Sequence, residues 1–137
     1  MIILDTNVLS ALMRQTPDPS VLTWLNGQPR TSMWTSSITL LEIQFGLEIM
    51  PVGKRRTLLM QGFAALLDEI GDRVASFDAA AAQEASYVMA ARHKKGRPGD
   101  LRDTMIAGIV LAHHATLATR NIAHFEDIPN IVNPWTA

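Results

Sequence analysis

Short apolar runs alternate with helix-patterned segments along the whole chain, and that alternation restricts the fold more than any other feature of the sequence. Met1–Leu4 reads as a short buried strand, and "TNVLSALM" behind it sets Val8, Leu9, Leu12 and Met13 at helical spacing. Asp18 caps the next segment, which Pro19 opens and Gly27 and Pro29 close. Met33–Thr35 is a second strand. "SSITLLEIQFGLEIM" follows as a helix, apolar at Leu40, Ile43, Phe45 and Leu47. "KRRTLLMQGFAALLDEI" is another, with Leu58, Leu59, Phe63, Leu66, Leu67 and Ile70 on one broad face. "RVASF" is a third strand, Asp78 caps the alanine-rich helix that runs to about Lys95, and "GRPG" breaks the chain. "DLRDTMIAGIVLAHHA" is helical and apolar at Leu101, Met105, Ile106, Ile109 and Val110; "TLATR" is a strand and "NIVN" the last one. Strands separated by helices imply an α/β fold, a parallel sheet covered by helices on its faces.

Length bounds the domain count. The 137 residues suit one domain, residues 1–137, large enough to bury a core without covalent staples. No cysteine is present, which excludes disulfides, thiolate metal sites and a cysteine nucleophile. No basic leader precedes the first apolar run, and Asp5 interrupts that run, so a secretory signal is not expected. The longest uncharged stretch, Thr104 to Thr119, falls short of the roughly 20 apolar residues of a membrane span and contains two histidines. A soluble, cytoplasmic protein is expected, with no membrane partner.

The net charge of −1 does not announce a nucleic-acid binder. The distribution is less even. Arg92, Lys94, Lys95, Arg97 and Arg102 fall within eleven residues, and Lys54, Arg55 and Arg56 are adjacent. Taken alone, the first cluster reads as a solvated helix C-terminus and the second as a loop exit.

In parallel sheets, sites form outside the carboxyl ends of the strands, where the strand order reverses. Four polar residues from distant parts of the chain are expected on that rim. Asp5 lies just past the first strand, Glu42 in the first turn of the helix after the second, Asp103 in the first turn of the helix before "TLATR", and Asn121 just past that strand. Each also has a plain structural explanation. Thr39 and Glu42 match a capping box, Asp100 can cap the helix that carries Asp103, Asp5 can cap the helix after it, and Asn121 can make a turn. Together the plain explanations weaken. Two carboxylates about 4 Å apart repel by roughly 4 kcal/mol at an effective dielectric near 20. A hard divalent cation removes that conflict, and an all-oxygen donor set suits magnesium or manganese.

Other chemistries lack their motifs. There is no G-x-x-x-x-G-K-[ST], no G-x-S-x-G and no H-E-x-x-H. His113 and His114, adjacent on a helix, diverge by about 100° and make a poor chelating pair; one is expected buried and one at the surface. His93 is expected at a helix end, and His124 near the rim in a structural role. A magnesium-dependent phosphatase of the haloacid dehalogenase type would want D-x-D after the first strand, where this chain has Asp5-Thr6-Asn7.

"LDTNVLSAL", "SSITLLEIQFGL" and "DTMIAGIVLAHHATLATRNIAHFEDI" resemble, in order and spacing, the three signature stretches of PIN-domain proteins, and most closely VapC-type toxins of bacterial toxin–antitoxin pairs. The resemblance covers essentially the whole chain and includes the closing Asn133-Pro134-Trp135. It implies a three-layer α/β/α domain around a central parallel sheet and a Mg2+- or Mn2+-dependent endoribonuclease. It also implies an RNA substrate, a cognate antitoxin whose tail blocks the acidic rim, and a homodimer. Carried across, Asp5, Glu42 and Asp103 match the acidic active-site positions, with Asp5 and Asp103 the first choices for metal ligands. Asn7 and Thr119 match positions that hold the cluster by hydrogen bonds. Some members have aspartate where this chain has Asn121, so one well-held ion is expected here. Given an RNA substrate, Arg97, Arg102 and Arg120 become candidate phosphate contacts, within a basic stretch that begins at Arg92. The alternative is a catalytically weak subunit that binds operator DNA together with its antitoxin.

Overall fold

A computed structural model describes residues 1–137. Strand β1 (Ile2–Leu4) leads into helix α1 (Thr6–Met13), then α2 (Pro19–Asn26) and β2 (Met33–Ser36). Helices α3 (Ser37–Ile49) and α4 (Lys54–Ile70) precede β3 (Val74–Ala75), and α5 (Ala79–Lys94) and α6 (Leu101–Ala112) precede β4 (Thr116–Ala118). A 3-10 turn at Ile122–Phe125 and strand β5 (Ile131–Val132) complete the chain. All strand pairings are parallel, in the order β3-β2-β1-β4-β5. The order runs outward from β1 in both directions, so the switch point lies between β1 and β4.

The two-residue period of the strands creates the layers. Ile3, Ala75 and Leu117 face a core with Ala81 of α5 and Ile106, Ile109 and Val110 of α6, closed by Phe125 and Ile128. Their strand neighbours Leu4 and Ala118, with Met33, face the opposite way. There Val8, Leu9 and Met13 of α1, Val21 of α2, Ile43 and Leu47 of α3, and Phe63 and Ile70 of α4 form the second core. The result is the expected three-layer α/β/α arrangement. In the first layer, α5 and α6 approach closely because Gly108 has no side chain: a Cβ there would stand 2.4 Å from the Ala81 carbonyl oxygen and 2.7 Å from Ala85 Cβ.

The expected caps at Asp5, Asp18, Asp78 and Asp100 all form. Other details differ. Strand β4 stops at Ala118 and β3 holds two residues, both shorter than "TLATR" and "RVASF" suggested. Phe45, expected in the core, is 54% exposed. At 100° per residue it stands 200° from both Ile43 and Leu47, the residues that define the inward face of α3. Leu101, at the start of α6, is likewise exposed. His113 and His114 both reach solvent, against the expected one-in, one-out pair, because α6 ends at Ala112. His113 caps it and His114 turns away at φ 50°. No helix is long and apolar enough to cross a membrane.

Candidate active site

Three carboxylates from three elements line the β1/β4 switch point, with Asp103 near enough to Asp5 and to Glu42 for their charges to interact. Asp5 follows β1 directly, and its backbone N–H donates to the Ala118 carbonyl at 2.9 Å, which brings the ends of β1 and β4 together. Only 4% of Asp5 is exposed. Its Oδ1 accepts from the Thr6 N–H at 2.8 Å, the expected cap, while Oδ2 accepts from Thr119 Oγ1 at 2.7 Å and from Asn7 Nδ2 at 3.2 Å. Thr119 Oγ1 uses its full capacity: it donates to Asp5 and accepts from Asn7 Nδ2 and the Asn121 N–H. Asn7 Oδ1 accepts from the Arg120 N–H. Neutral donors thus orient the buried Asp5 carboxylate without cancelling its charge.

Glu42 sits in the second turn of α3, not the first, and the expected capping box does not form. Ser36 caps α3 instead, accepting from the Thr39 N–H, because β2 runs to Ser36 and the helix begins at Ser37. Glu42 is therefore free of its own helix terminus. Its Oε1 accepts from Thr6 Oγ1 at 2.8 Å, and its Oε2 lies 3.8 Å from Arg102 Nη1. Asp103 occupies the first turn of α6, where Asp100 accepts from its N–H, and its Oδ2 lies 3.2 Å from His124 Nδ1.

Burial pushes the Asp5 carboxyl above the ordinary aspartate value. Hydrogen bonds from Thr119, Thr6 and Asn7 oppose that shift, and the charge of Asp103 adds to it. Asp103 is raised by burial first, then by Asp100, with His124 acting against and Glu42 adding to the rise. Asp5, Asp103 and Glu42 thus form a chain of mutually repelling acids. Hard oxygen donors under mutual repulsion fit a divalent cation such as magnesium or manganese. The carboxylates do not close into a ready-made cage of three ligands; they form an open rim.

The remaining residues singled out in the sequence differ in how they reach the rim. Asn7 and Thr119 sit against Asp5 as expected. Asn121 joins through its backbone N–H alone, and its exposed side chain makes no hydrogen bond to the acids. Arg102 borders Glu42, Arg120 lies over the Trp135 ring at 4.9 Å, and Arg97 lines a cavity of about 370 Å³ with Lys95, Asp103 and His124. Arg92 departs from expectation. It is buried and donates to Asp127, Thr104 and the His124 carbonyl, so it is not a solvated cation. Thr6 went unnoticed in the sequence, although its place between Asp5 and Asn7 was a usable signal. A wider groove of about 750 Å³ opens on the other side of the rim, bordered by Thr6 and Glu42, floored by Ile43, Leu47 and Leu59 and edged by Arg14, Lys54 and Arg55.

The parallel sheet with helices on both faces defines an α/β/α domain, and the PIN domain family model matches residues 2–130. The chain belongs to the PIN domain family. The VapC ribonuclease Y4jK of Sinorhizobium fredii is 38% identical to it, over 98% of each chain. The plasmid stability protein StbB of Pseudomonas syringae pv. tomato is 37% identical over the whole of both. Toxin FitB of Neisseria gonorrhoeae is 29% identical over 98% of this chain and 99% of its own. The solved structure of FitAB bound to the IR36 DNA fragment aligns with a TM-score of 0.87 at 29% identity, covering 98% of this chain and 96% of that one.

Proposed function

We propose that the chain is the ribonuclease toxin of a toxin–antitoxin pair, hydrolysing RNA phosphodiester bonds with a magnesium or manganese ion held by Asp5, Asp103 and Glu42. The observation that carries this reading is the meeting of those three acids at the switch point, where Asp5 and Asp103 are each raised by burial and by a neighbouring carboxylate. The names of the VapC and FitB relatives support the substrate class and the toxin role. When bound, such an ion polarises the phosphodiester and lowers the pKa of a coordinated water.

The chain's own residues supply the rest. Thr119 and Asn7 fix Asp5 through Oδ2, leaving Oδ1 shared only with the Thr6 N–H. Thr6 donates to Glu42 Oε1 and orients that carboxylate, and Glu42 or Asp103 accepts the proton of the attacking water. The water oxygen bonds to phosphorus as the bond to the leaving oxygen breaks, and the leaving oxygen takes a proton from solvent, giving a phosphomonoester end and a hydroxyl end. Arg102, Arg97 and Arg120 contact backbone phosphates around the rim, binding that weakens with salt and does not read sequence. Asn121 contributes no charge and supports the rim through its backbone N–H to Thr119.

A cognate antitoxin covering the rim and a homodimer belong to the same reading. An exposed stripe at Leu41, Phe45 and Ile49 on α3, beside Glu42, supports a self-association surface. Sedimentation velocity should give a dimer that Phe45→Lys converts to monomer.

The test is cleavage of a panel of single-stranded and structured RNAs in magnesium, manganese or excess chelator, beside Asp5→Ala and Asp103→Ala purified identically. Metal-dependent cleavage lost in both variants upholds the reading; equal behaviour of all three proteins, with no metal binding by the wild type, rejects it. The FitAB complex on DNA favours a second role, binding operator DNA as a subunit with the antitoxin. That role predicts DNA retention only by the two-protein complex, with or without the three acids.

A further inference from the structure

Arg92 is the one cation of the basic stretch that is withdrawn from solvent, with 9% of it exposed at the end of α5. Its guanidinium donates three ways. Nε donates to Asp127 Oδ2 at 2.7 Å, Nη1 to Thr104 Oγ1 at 3.0 Å, and Nη2 to the His124 carbonyl at 3.0 Å. Gly99, at φ 70°, closes over it: a Cβ there would stand 2.8 Å from Nη1. One planar fork therefore ties α5 to the first turn of α6 and to the segment after β4.

Both segments it ties set the position of Asp103. Thr104 is the next residue on α6, and its Oγ1 also donates to the Asp100 carbonyl, within the turn whose cap receives the Asp103 N–H. His124 is the residue whose Nδ1 lies 3.2 Å from Asp103 Oδ2. His124 is otherwise exposed, so its ring is aimed at Asp103 chiefly by its backbone, and Arg92 holds that backbone through its carbonyl. The negative charge of Asp127 offsets the buried cation, which lets this hub sit beside an acidic rim without adding net charge to it.

Building on the ribonuclease reading, we propose that Arg92 is a positioning residue for catalysis, fixing the Asp103 carboxylate through Thr104 on one side and His124 on the other. It touches neither substrate nor metal. Its effect is on the rate of the chemical step and not on the hold on RNA, because its guanidinium is turned to Asp127, Thr104 and the His124 carbonyl while Arg97 and Arg102 stay exposed.

Arg92→Lys keeps the charge and discards the fork. It should lower kcat by up to about tenfold, with KM for RNA unchanged. That is the lower end of what losing a direct outer partner of a metal ligand costs, since Arg92 acts on Asp103 only through Thr104 and His124. In a His124→Ala background the same substitution should cost less than in the wild type, since one of its two routes is already cut. Hydrogen exchange should quicken in residues 122–128 and in the first turn of α6, with β1, β2 and β4 still protected. Asp127→Asn, a milder change to the same hub, should move exchange and kcat in the same direction by less. Equal exchange in those two segments, a multiplicative double variant, or a rise in KM at constant kcat would each overturn the proposal. The exchange measurement needs no activity, so a wild type that cleaves no RNA rejects the ribonuclease reading while the positional claim is still decided.

Discussion

Asp5 and Asp103 carry their raised pKa values for partly different reasons, and the difference predicts opposite responses to the same change. A carboxylate raised in the folded state binds its proton more tightly there than in the unfolded chain. As pH climbs from the ordinary aspartate value through the raised folded value, the native state holds the extra protons, so stability falls across that window. Above it the penalty is complete. Asp103→Asn removes the charge that Asp100 and Glu42 repel, and the amide can still meet His124. In chelator at neutral pH it should raise Tm by about 3 °C, what about 1 kcal/mol gives a domain of this size, and lower RNA cleavage by about 10²-fold or more. Asp5→Asn should not stabilise. Asp5 Oδ2 accepts from both Thr119 and Asn7, and an amide nitrogen there would face donors. Differential scanning calorimetry of the two variants from pH 4 to 7 checks both signs; a fall in Tm for Asp103→Asn would contradict the account. Thr6→Val tests the other acid. Without the hydroxyl on Oε1, Glu42 keeps only its longer contact with Arg102. kcat should drop about tenfold, with KM and Tm close to wild type.

Single glycines decide how the helices sit, and two of them should respond oppositely to alanine. Gly108→Ala forces a methyl into the Ala81 carbonyl and Ala85, where helix backbone cannot yield cheaply. Overpacking of that kind costs about 1–3 kcal/mol, and because α6 carries Asp103, cleavage should fall with it. Gly46, inside α3, meets nothing within 4 Å at its Cβ position. Gly46→Ala should stabilise by up to about 1 kcal/mol through helix propensity. Urea unfolding of both variants reads the two signs. Several helices were legible because a cap and an apolar run stand in their own sequence: Asp18 with Pro19, Asp78, and Asp100 before Ile106, Ile109 and Val110. What was not legible depends on a second segment. Phe45 looked like core because α3 is apolar nearly all round, and only its neighbours in space, α1, α4, α6 and the sheet, decide which side is buried. Glu42 looked like a capping-box acid until β2 proved to extend to Ser36. Arg92 looked solvated, since nothing local announces Asp127, 35 residues on in the chain, as its partner.

At the scale of the molecule, the strand order places the site. Three acids separated by 37 and 61 residues can meet only because β1 is central and the chain returns to its other side at β4. The alternation of strand and helix announced that sheet, and the rule about strand ends located the rim. The hydrogen bonds that orient each carboxylate needed the third dimension. The charge is as localised as the topology. With a net charge of −1 the whole chain repels itself little, so the electrostatic strain sits in this one cluster. Relieving it should therefore show as a global property. A divalent ion that binds only the native rim stabilises the fold by about 2.7 kcal/mol at a hundred times its Kd, and it competes with the protons that the raised acids retain. Tm should climb with magnesium concentration, and the increment should grow as pH rises through the window in which the metal-free protein loses stability. Sodium chloride at matched ionic strength screens surface charges without binding the rim and should give a small, pH-independent shift. In Asp5→Ala and Asp103→Ala the magnesium increment should shrink to the sodium one. A full increment in either variant, or an equal rise in sodium chloride, would mean that the acids do not hold an ion between them and that their repulsion is met by protonation alone.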